Sequence, residues 1–204
     1  MSDLNTIGQS IRRKEDVRFL TGAGQYTDDV NPPHHTHAFF LRSPHAHAKI
    51  RKIDASKAKS APGVVAIYTG DDLTGVNGLP CGWLITGTDG QPMKEPPHPV
   101  LAQGKVRYVG DPVAVVIAET PEQAKDAAEL VNVDYDVLPA VVNTVDALKS
   151  GAPQIHDGAP GNKCYTWALG DKAAVDAAFA KAAHVTKLDI VNNRLIPNAI
   201  EPRA

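Results

Sequence analysis

Five of the eight histidines in this 204-residue chain, His34, His35, His37, His45 and His47, fall within fourteen residues. Imidazoles at i and i+2, as at His45 and His47, share one face of a strand, a spacing that zinc sites use. A metal site needs further donors, and no Cys, Asp or Glu lies between Asn31 and Lys52. The cluster is therefore read as solvated or hydrogen-bonding histidines, with a metal site between His34 and His47 as the alternative. The paired carboxylates Asp28-Asp29 and Asp71-Asp72 suggest acid–base work, but adjacent side chains diverge and both pairs sit at expected turns or caps. Gly22-Ala-Gly24 lacks the third glycine, the preceding strand and the following helix of a dinucleotide loop, and there is no GxxxxGK[ST], GxSxG or HExxH.

Cys81 and Cys164 are the only cysteines. They form no CxxC, no iron–sulfur spacing and no disulfide framework, which fits a reducing compartment. Each reads as an inert core thiol, with Cys164 buried beside Trp167. The residues alone thus present no catalytic constellation.

The elements that must carry these side chains begin after a polar, turn-rich arm at 1–30, where little helix is expected. Ala38–Ser43 and Ala46–Ile53 read as two strands separated by a Ser43-Pro44 turn. Asp54–Ala61 reads as a short Asp-capped helix stopped by Pro62-Gly63, and Val64–Thr69 as a buried strand. Residues 70–103, rich in Gly and Pro, form an excursion over the surface. Val106–Val109 and Val113–Ala118 are strands linked by Gly110-Asp111-Pro112. Thr120-Pro-Glu-Gln123 is a capping box with Pro at the first helical position, opening a helix to about Leu130. Val131–Val137 alternates as a half-exposed strand, and this strand–helix–strand unit suggests parallel or near neighbours. A short helix at 145–149, a turn-rich linker at 151–162, an amphipathic helix at 172–183 capped by Gly170-Asp171, and a strand at 184–192 complete the reading. The last fifty residues look like the opening of a second domain.

Composition excludes whole classes. Hydrophobic residues at 43% and charged residues at 22% are ordinary for a globular chain, so disorder and collagen-like structure are excluded. The 21 basic and 23 acidic residues are interspersed, leaving no footprint for nucleic acid or an anionic membrane. The longest apolar run, Val113–Ala118, is far too short to span a bilayer, so no membrane insertion is expected. The first ten residues show no secretory signal, and a cytoplasmic location is expected.

Several stretches, in order, resemble the start of the large subunit of the molybdenum hydroxylases, the xanthine dehydrogenase and aldehyde oxidase family. They are Arg13–Asp29, Leu41-Arg-Ser-Pro-His-Ala-His-Ala48, Ile53-Asp54, Pro62-Gly-Val64, Val106–Ala118 and Val133-Asp-Tyr-Asp-Val-Leu-Pro-Ala140. The likeness is greatest to the aerobic carbon monoxide dehydrogenase branch. It implies an α+β fold: an N-terminal arm at 1–19, then an α/β hammerhead domain at 20–150 with a mixed sheet and short helices. Residues 151–204 would be a linker and the first segment of an incomplete molybdopterin-binding domain.

On this resemblance Arg18, Gly22, Tyr26 and Asp29 fall on the opening motif. Arg42, Ser43, Pro44 and His47 fall on the strand motif, Gly110 and Pro112 on the turn before the central strand, and Glu201 in Ile200-Glu-Pro-Arg203 of the following domain. Their implied roles are structural: salt-bridged packing of the arm by an Arg and an Asp, and strand boundaries fixed by Gly and Pro. No catalytic, cofactor or metal residue is expected within the 204. The complete subunit is implied to hold molybdenum on molybdopterin cytosine dinucleotide, with copper added in carbon monoxide-oxidising members. Partner subunits are implied to carry iron–sulfur clusters and FAD. Arg194–Asn198 lacks the carboxylate that purine-oxidising relatives place there, which argues against xanthine. The piece alone is expected to be inactive, and the rival reading is a non-catalytic binding or scaffold module using the hammerhead surface.

Overall fold

The computed structural model describes residues 8–76, 78–193 and 195–199. Residues Thr36–Val185 form one compact unit, and the described residues before Thr36 and after Val185 form another. The smaller unit holds the helix α1 (Asp16–Leu20) and a 3-10 turn at Thr27–Asp29. The arm was expected to hold little helix, and α1 is a five-residue piece with no buried residue.

The larger unit is built on six strands and three helices: β1 (His37–Arg42), β2 (Ala48–Asp54), α2 (Ser56–Lys59), β3 (Val64–Thr69), β4 (Lys105–Val106), β5 (Pro112–Ala118), α3 (Pro121–Glu129), β6 (Asn132–Val137) and α4 (Lys172–Lys181). They pair as two three-stranded sheets in the orders β1-β5-β3 and β4-β2-β6. Every pairing is antiparallel, so the α+β class holds while the sheets are not mixed. The sequence expectation that β5 and β6 are parallel or near neighbours fails because β1 and β3 occupy both edges of β5. The chain leaving α3 must therefore join the other sheet, beside β2.

The apolar run Val113–Ala118 is the central strand. Its apolar residues run without a polar break, yet burial alternates from Ala114 on: Ala114, Val116 and Ala118 are fully buried, while Val115 and Ile117 on the opposite face are partly buried. Its Val116 joins Ala58, Ile67, Ala127, Ala128 and Val131 in one core cluster, and its Val113 joins Ala48, Ala102 and Val106 in a second. Ile53 and Val133 pack against both clusters and tie the two sheets together. Helix α3 presents Ala124, Ala127 and Ala128 to the sheet, small side chains that let its backbone approach β1 and β5 closely. Its capping box is formed as the sequence predicts: Gln123 N donates to Thr120 Oγ1 at 3.2 Å and Thr120 N to Gln123 Oε1 at 3.1 Å.

Other expectations are corrected. β3 is half-exposed, with Val65 and Tyr68 facing out, because it lies at a sheet edge. The Val106–Val109 strand shrinks to the two residues of β4, since the chain turns at Tyr108. Asp54 caps α2 from one residue outside the expected place: its carboxylate accepts from Ser56 N at 3.1 Å and Ser56 Oγ at 2.6 Å, while Ala55 stands at the cap position. The 151–162 linker is pinned by Asn162, which donates to Ala147 O at 3.0 Å and Pro153 O at 2.8 Å. Helix α4 is capped by Asp171, which accepts from Ala174 N at 2.9 Å, but it buries no residue, so no amphipathic face is in use. Residues 184–192 form no strand; no other described strand pairs with them.

Candidate functional site

Three segments far apart in sequence meet at the end of β1. The chain turns at Tyr108–Asp111, where Asp111 N donates to Tyr108 O at 3.2 Å and Gly110 takes φ 90°. A positive φ at the third residue of such a turn is the condition that selects glycine. The turn then docks on the Arg42-Ser43 end of β1. Gly110 N donates to Ser43 O at 2.8 Å, Ser43 N donates to Asp111 O at 2.9 Å, and the Arg42 guanidinium donates to Gly110 O at 2.9 Å. The Asp111 carboxylate accepts from Arg107 N at 3.0 Å and closes the turn from inside. Pro112, opposite Arg42 across the register shift at Leu41/Arg42, starts the central strand.

The third segment arrives through His47. Its Nδ1 lies 2.8 Å from Pro139 O, and its own carbonyl accepts from Leu138 N at 2.9 Å. A carbonyl only accepts, so Nδ1 carries the proton, and Nε2 is left buried without a partner. Ser43 Oγ accepts from His45 N and donates to His45 O, both at 3.0 Å, and so holds the bend around the exposed Pro44. Ser43, His47 and Asp111 are the buried polar residues among those described, at 2%, 5% and 8% exposure.

Burial shapes the titration of the groups around them. It pushes the Tyr135 phenol up, with the Asp111 charge adding to the rise and the Ser43 hydroxyl opposing it. It also raises Tyr108, with Asp111 adding to the effect. His156 is lowered, first by burial and then by the Arg107 cation. Beside this cluster lie two cavities. An inner one of about 60 Å³ is lined by Lys105, Arg107, Tyr108 and Asp111, and an outer one of about 400 Å³ by apolar side chains around Val141, Ile155 and Ala159. Pro97, His98 and His156 line both.

The structure thus brings together Arg42, Ser43, Pro44, His47, Gly110 and Pro112. The opening-motif residues lie in the smaller unit and take local partners. Arg18 stands over the Phe19 ring at 5.2 Å, and Tyr26 stacks on the same ring at 5.7 Å. The Asp29 carboxylate accepts from Tyr26 N at 2.8 Å, and Gly22 turns with φ 74°. The expected salt-bridged arm is therefore corrected: Arg18 and Asp29 are each engaged within a few residues of themselves and not with each other. Glu201 lies outside the described residues, as do Arg194 and Ile200.

His45 and His47 do not share a strand face. Both lie in the bend before β2, where His45 stands edge-on to Tyr135 at 5.0 Å. Among the described residues no three His, Cys, Asp or Glu side chains are grouped to hold a metal. Cys81 and Cys164 are exposed, and so is Trp167, because the segment around Cys164 runs over the surface as a backbone partner of Lys94 and Thr88. Asp29 and Asp72 act as turn caps, Asp72 accepting from Thr69 N at 2.7 Å. Arg107, Asp111, Tyr135 and His156 were missed as site residues; the Gly110-Asp111-Pro112 turn marked one of them, and nothing local marked His156.

Residues 21–139 match the domain described as aldehyde oxidase and xanthine dehydrogenase, a/b hammerhead domain, which is more than half of the chain. The chain belongs to the aldehyde oxidase and xanthine dehydrogenase family. It is 38% identical to the carbon monoxide dehydrogenase large chain of Afipia carboxidovorans over 97% of its own length and 25% of that protein. It is 37% identical to the 6-hydroxypseudooxynicotine dehydrogenase complex subunit gamma of Paenarthrobacter nicotinovorans, again over 97% of this chain and 25% of the relative. Among solved structures, reconstituted CO dehydrogenase from Oligotropha carboxidovorans superposes with a TM-score of 0.71 at 37% identity, covering 87% of this chain and 22% of that one. Quinoline 2-oxidoreductase from Pseudomonas putida 86 gives 0.62 at 39% identity, covering 74% and 18%. The chain spans about a quarter of the length of these two relatives. Within this family's hammerhead match fall all three converging segments of the polar cluster, and only His156 lies beyond it.

Proposed function

We propose that the chain serves as the hammerhead-bearing N-terminal portion of the large subunit of a molybdenum hydroxylase, an oxidoreductase acting on carbon monoxide, an aldehyde or an N-heterocycle. The observation that carries this is 38% identity to a carbon monoxide dehydrogenase large chain across 97% of these residues. In this reading residues 20–150 are the hammerhead, residues 1–19 the arm, and residues 151–204 a linker and the first segment of the molybdopterin-binding domain. The motif residues Arg18, Gly22, Tyr26, Asp29, Arg42, Ser43, Pro44, His47, Gly110, Pro112 and Glu201 are structural in this proposal.

The active subunit would hold molybdenum on molybdopterin cytosine dinucleotide, with copper in the carbon monoxide-oxidising case, and electrons would leave to iron–sulfur and FAD subunits. The described residues do not fit a resident metal, since they offer no grouped donor set, so no chemical step is assigned to them. Their contribution is a rigid scaffold. The rest of the large subunit and the partner subunits would cover its exposed apolar side chains, among them Trp83, Leu84, Trp167, Leu169 and Leu188. A partner-bearing assembly is supported by the relative described as a complex subunit. No described helix is long and apolar enough to cross a membrane, and a cytoplasmic site of action is part of the proposal.

The test is affinity purification of the protein that carries this chain from its native cells under mild conditions. Co-purifying polypeptides with flavin and iron–sulfur absorption support the reading. A chain recovered alone, or with colourless partners, would support the scaffold alternative instead.

A further inference from the structure

The two cavities beside the polar cluster adjoin through Pro97, His98 and His156, which line both, and the inner one holds a guanidinium with no ion-pair partner among the described residues. Arg107 lines the inner chamber, yet none of the ion pairs among the described residues involves it. Its guanidinium donates once, to Lys105 O at 3.3 Å, and its Nε is buried with no partner. The carboxylate nearest in sequence, Asp111, accepts from the Arg107 backbone and not from its side chain. Lys105 lies in the same chamber, 3.6 Å from the largely exposed Asp157. His98, stacked against Tyr108 at 6.3 Å, and His156 stand where the two chambers meet. Asp111 lines the same chamber, but a half-buried guanidinium with no direct ion pair and a buried, unpartnered Nε is an uncommon arrangement, because desolvation of the cation is ordinarily offset by pairing.

The outer chamber, about 400 Å³, is of the size that small molecules occupy, and Val141, Val142, Ala147, Ile155 and Ala159 give it an apolar wall. The inner chamber, about 60 Å³, has room for a carboxylate-sized group. We propose that this recess binds a small organic monocarboxylate, its ring or alkyl body against the Val141–Ala159 wall and its carboxylate paired with Arg107 beside His156. The body supplies the apolar burial, and the carboxylate supplies the counter-charge and acceptor that the guanidinium lacks. The site is independent of the redox reading above, since it involves no metal and no reaction.

Benzoate is the probe, and the readout is the imidazole resonances of His156 in the full chain, assigned by comparison with His156→Gln. Four groups act on this imidazole: the Arg107 cation and His47 lower it, while Asp111 and Asp157 raise it. A bound carboxylate adds a negative charge and is expected to move the His156 titration upward, together with a saturable shift of its resonance. Benzamide, of the same shape without the charge, and acetate, with the charge but no body, are each expected to bind at least about tenfold more weakly.

Arg107→Gln is expected to weaken benzoate by at least about tenfold and Arg107→Lys by less. Val142 is 91% exposed, so Val142→Asp leaves packing unchanged while placing a repelling charge at the wall, and it too is expected to weaken benzoate. Absence of a saturable His156 shift up to the solubility of benzoate overturns the proposal. So does binding of benzamide as tight as benzoate, or benzoate binding unchanged in both Arg107→Gln and Val142→Asp.

Discussion

Replacing Gly110 by alanine separates backbone strain from packing at the junction of β1 and β5. A Cβ built at residue 110 meets no atom within 4 Å, so no clash arises, but φ is 90°, where an L side chain is strained. The residue cannot escape by turning to negative φ, because its N–H is tied to Ser43 O at 2.8 Å and its carbonyl to Arg42 at 2.9 Å. Breaking both would cost about 1–3 kcal/mol at about 0.5–1.5 each, whereas accepting a left-handed backbone costs about 1–2 kcal/mol. Strain is the cheaper route, and Gly110→Ala should lose about 1–2 kcal/mol locally. Native-state hydrogen exchange reads this directly: protection of the amides of residues 43 and 110 should fall about 5- to 30-fold. Gly110→Asn, whose side chain tolerates positive φ, should lose distinctly less. Unchanged protection in the alanine variant, or an asparagine variant as costly as alanine, would refute the argument that conformation selects this glycine.

Other perturbations have equally defined outcomes. Thr120→Ala removes the acceptor for Gln123 N and breaks the capping box of α3, and thermal or urea unfolding should show a loss of about 1 kcal/mol. Val116→Ala, at 0% exposure in the central strand and within a core cluster, should cost about 2 kcal/mol through lost burial and the space left behind, as read by urea unfolding. His156 should titrate by NMR below its ordinary 6.5, because burial and Arg107 oppose its charged form. In the window from pH 6.5 down to that lowered value the unfolded chain binds the extra proton. The contribution of His156 to stability is therefore full above 6.5 and is lost as pH falls, and His156→Gln should flatten that part of the pH profile. A titration at or above 6.5 would contradict the assigned surroundings.

Local signals in the sequence were legible where one segment determines its own structure. The Thr120-Pro-Glu-Gln123 box, the Asp171 cap and the unbroken apolar run of β5 are each decided within a few residues, and each is found. What could not be read locally was partner choice. β5 and β6 flank one helix, yet β1 and β3 claim both edges of β5, and that competition is set by residues as distant in sequence as His37 is from Ala118. The same limit applies to the site. Arg42-Ser43-Pro44 and Gly110-Asp111-Pro112 each carry a turn signal, but two of the three bonds that dock them are backbone to backbone and the third runs from the Arg42 side chain to a backbone carbonyl, so no pair of side-chain types announces the contact. Residues 184–192 read as a strand from their β-branched residues and find no strand partner among those described, so local composition alone does not produce one. Average burial makes a core thiol of each of Cys81 and Cys164, but both are exposed, because an average says nothing about chain segments that run over the surface.

The central claim, that these residues open a molybdenum hydroxylase large subunit, is tested most directly by metal and nucleotide analysis of the native protein that contains them. Elemental analysis of the purified protein should find stoichiometric molybdenum, and acid hydrolysis should release cytidine monophosphate from the pterin dinucleotide. Fully folded native protein that contains the chain but neither molybdenum nor a pterin would contradict the claim.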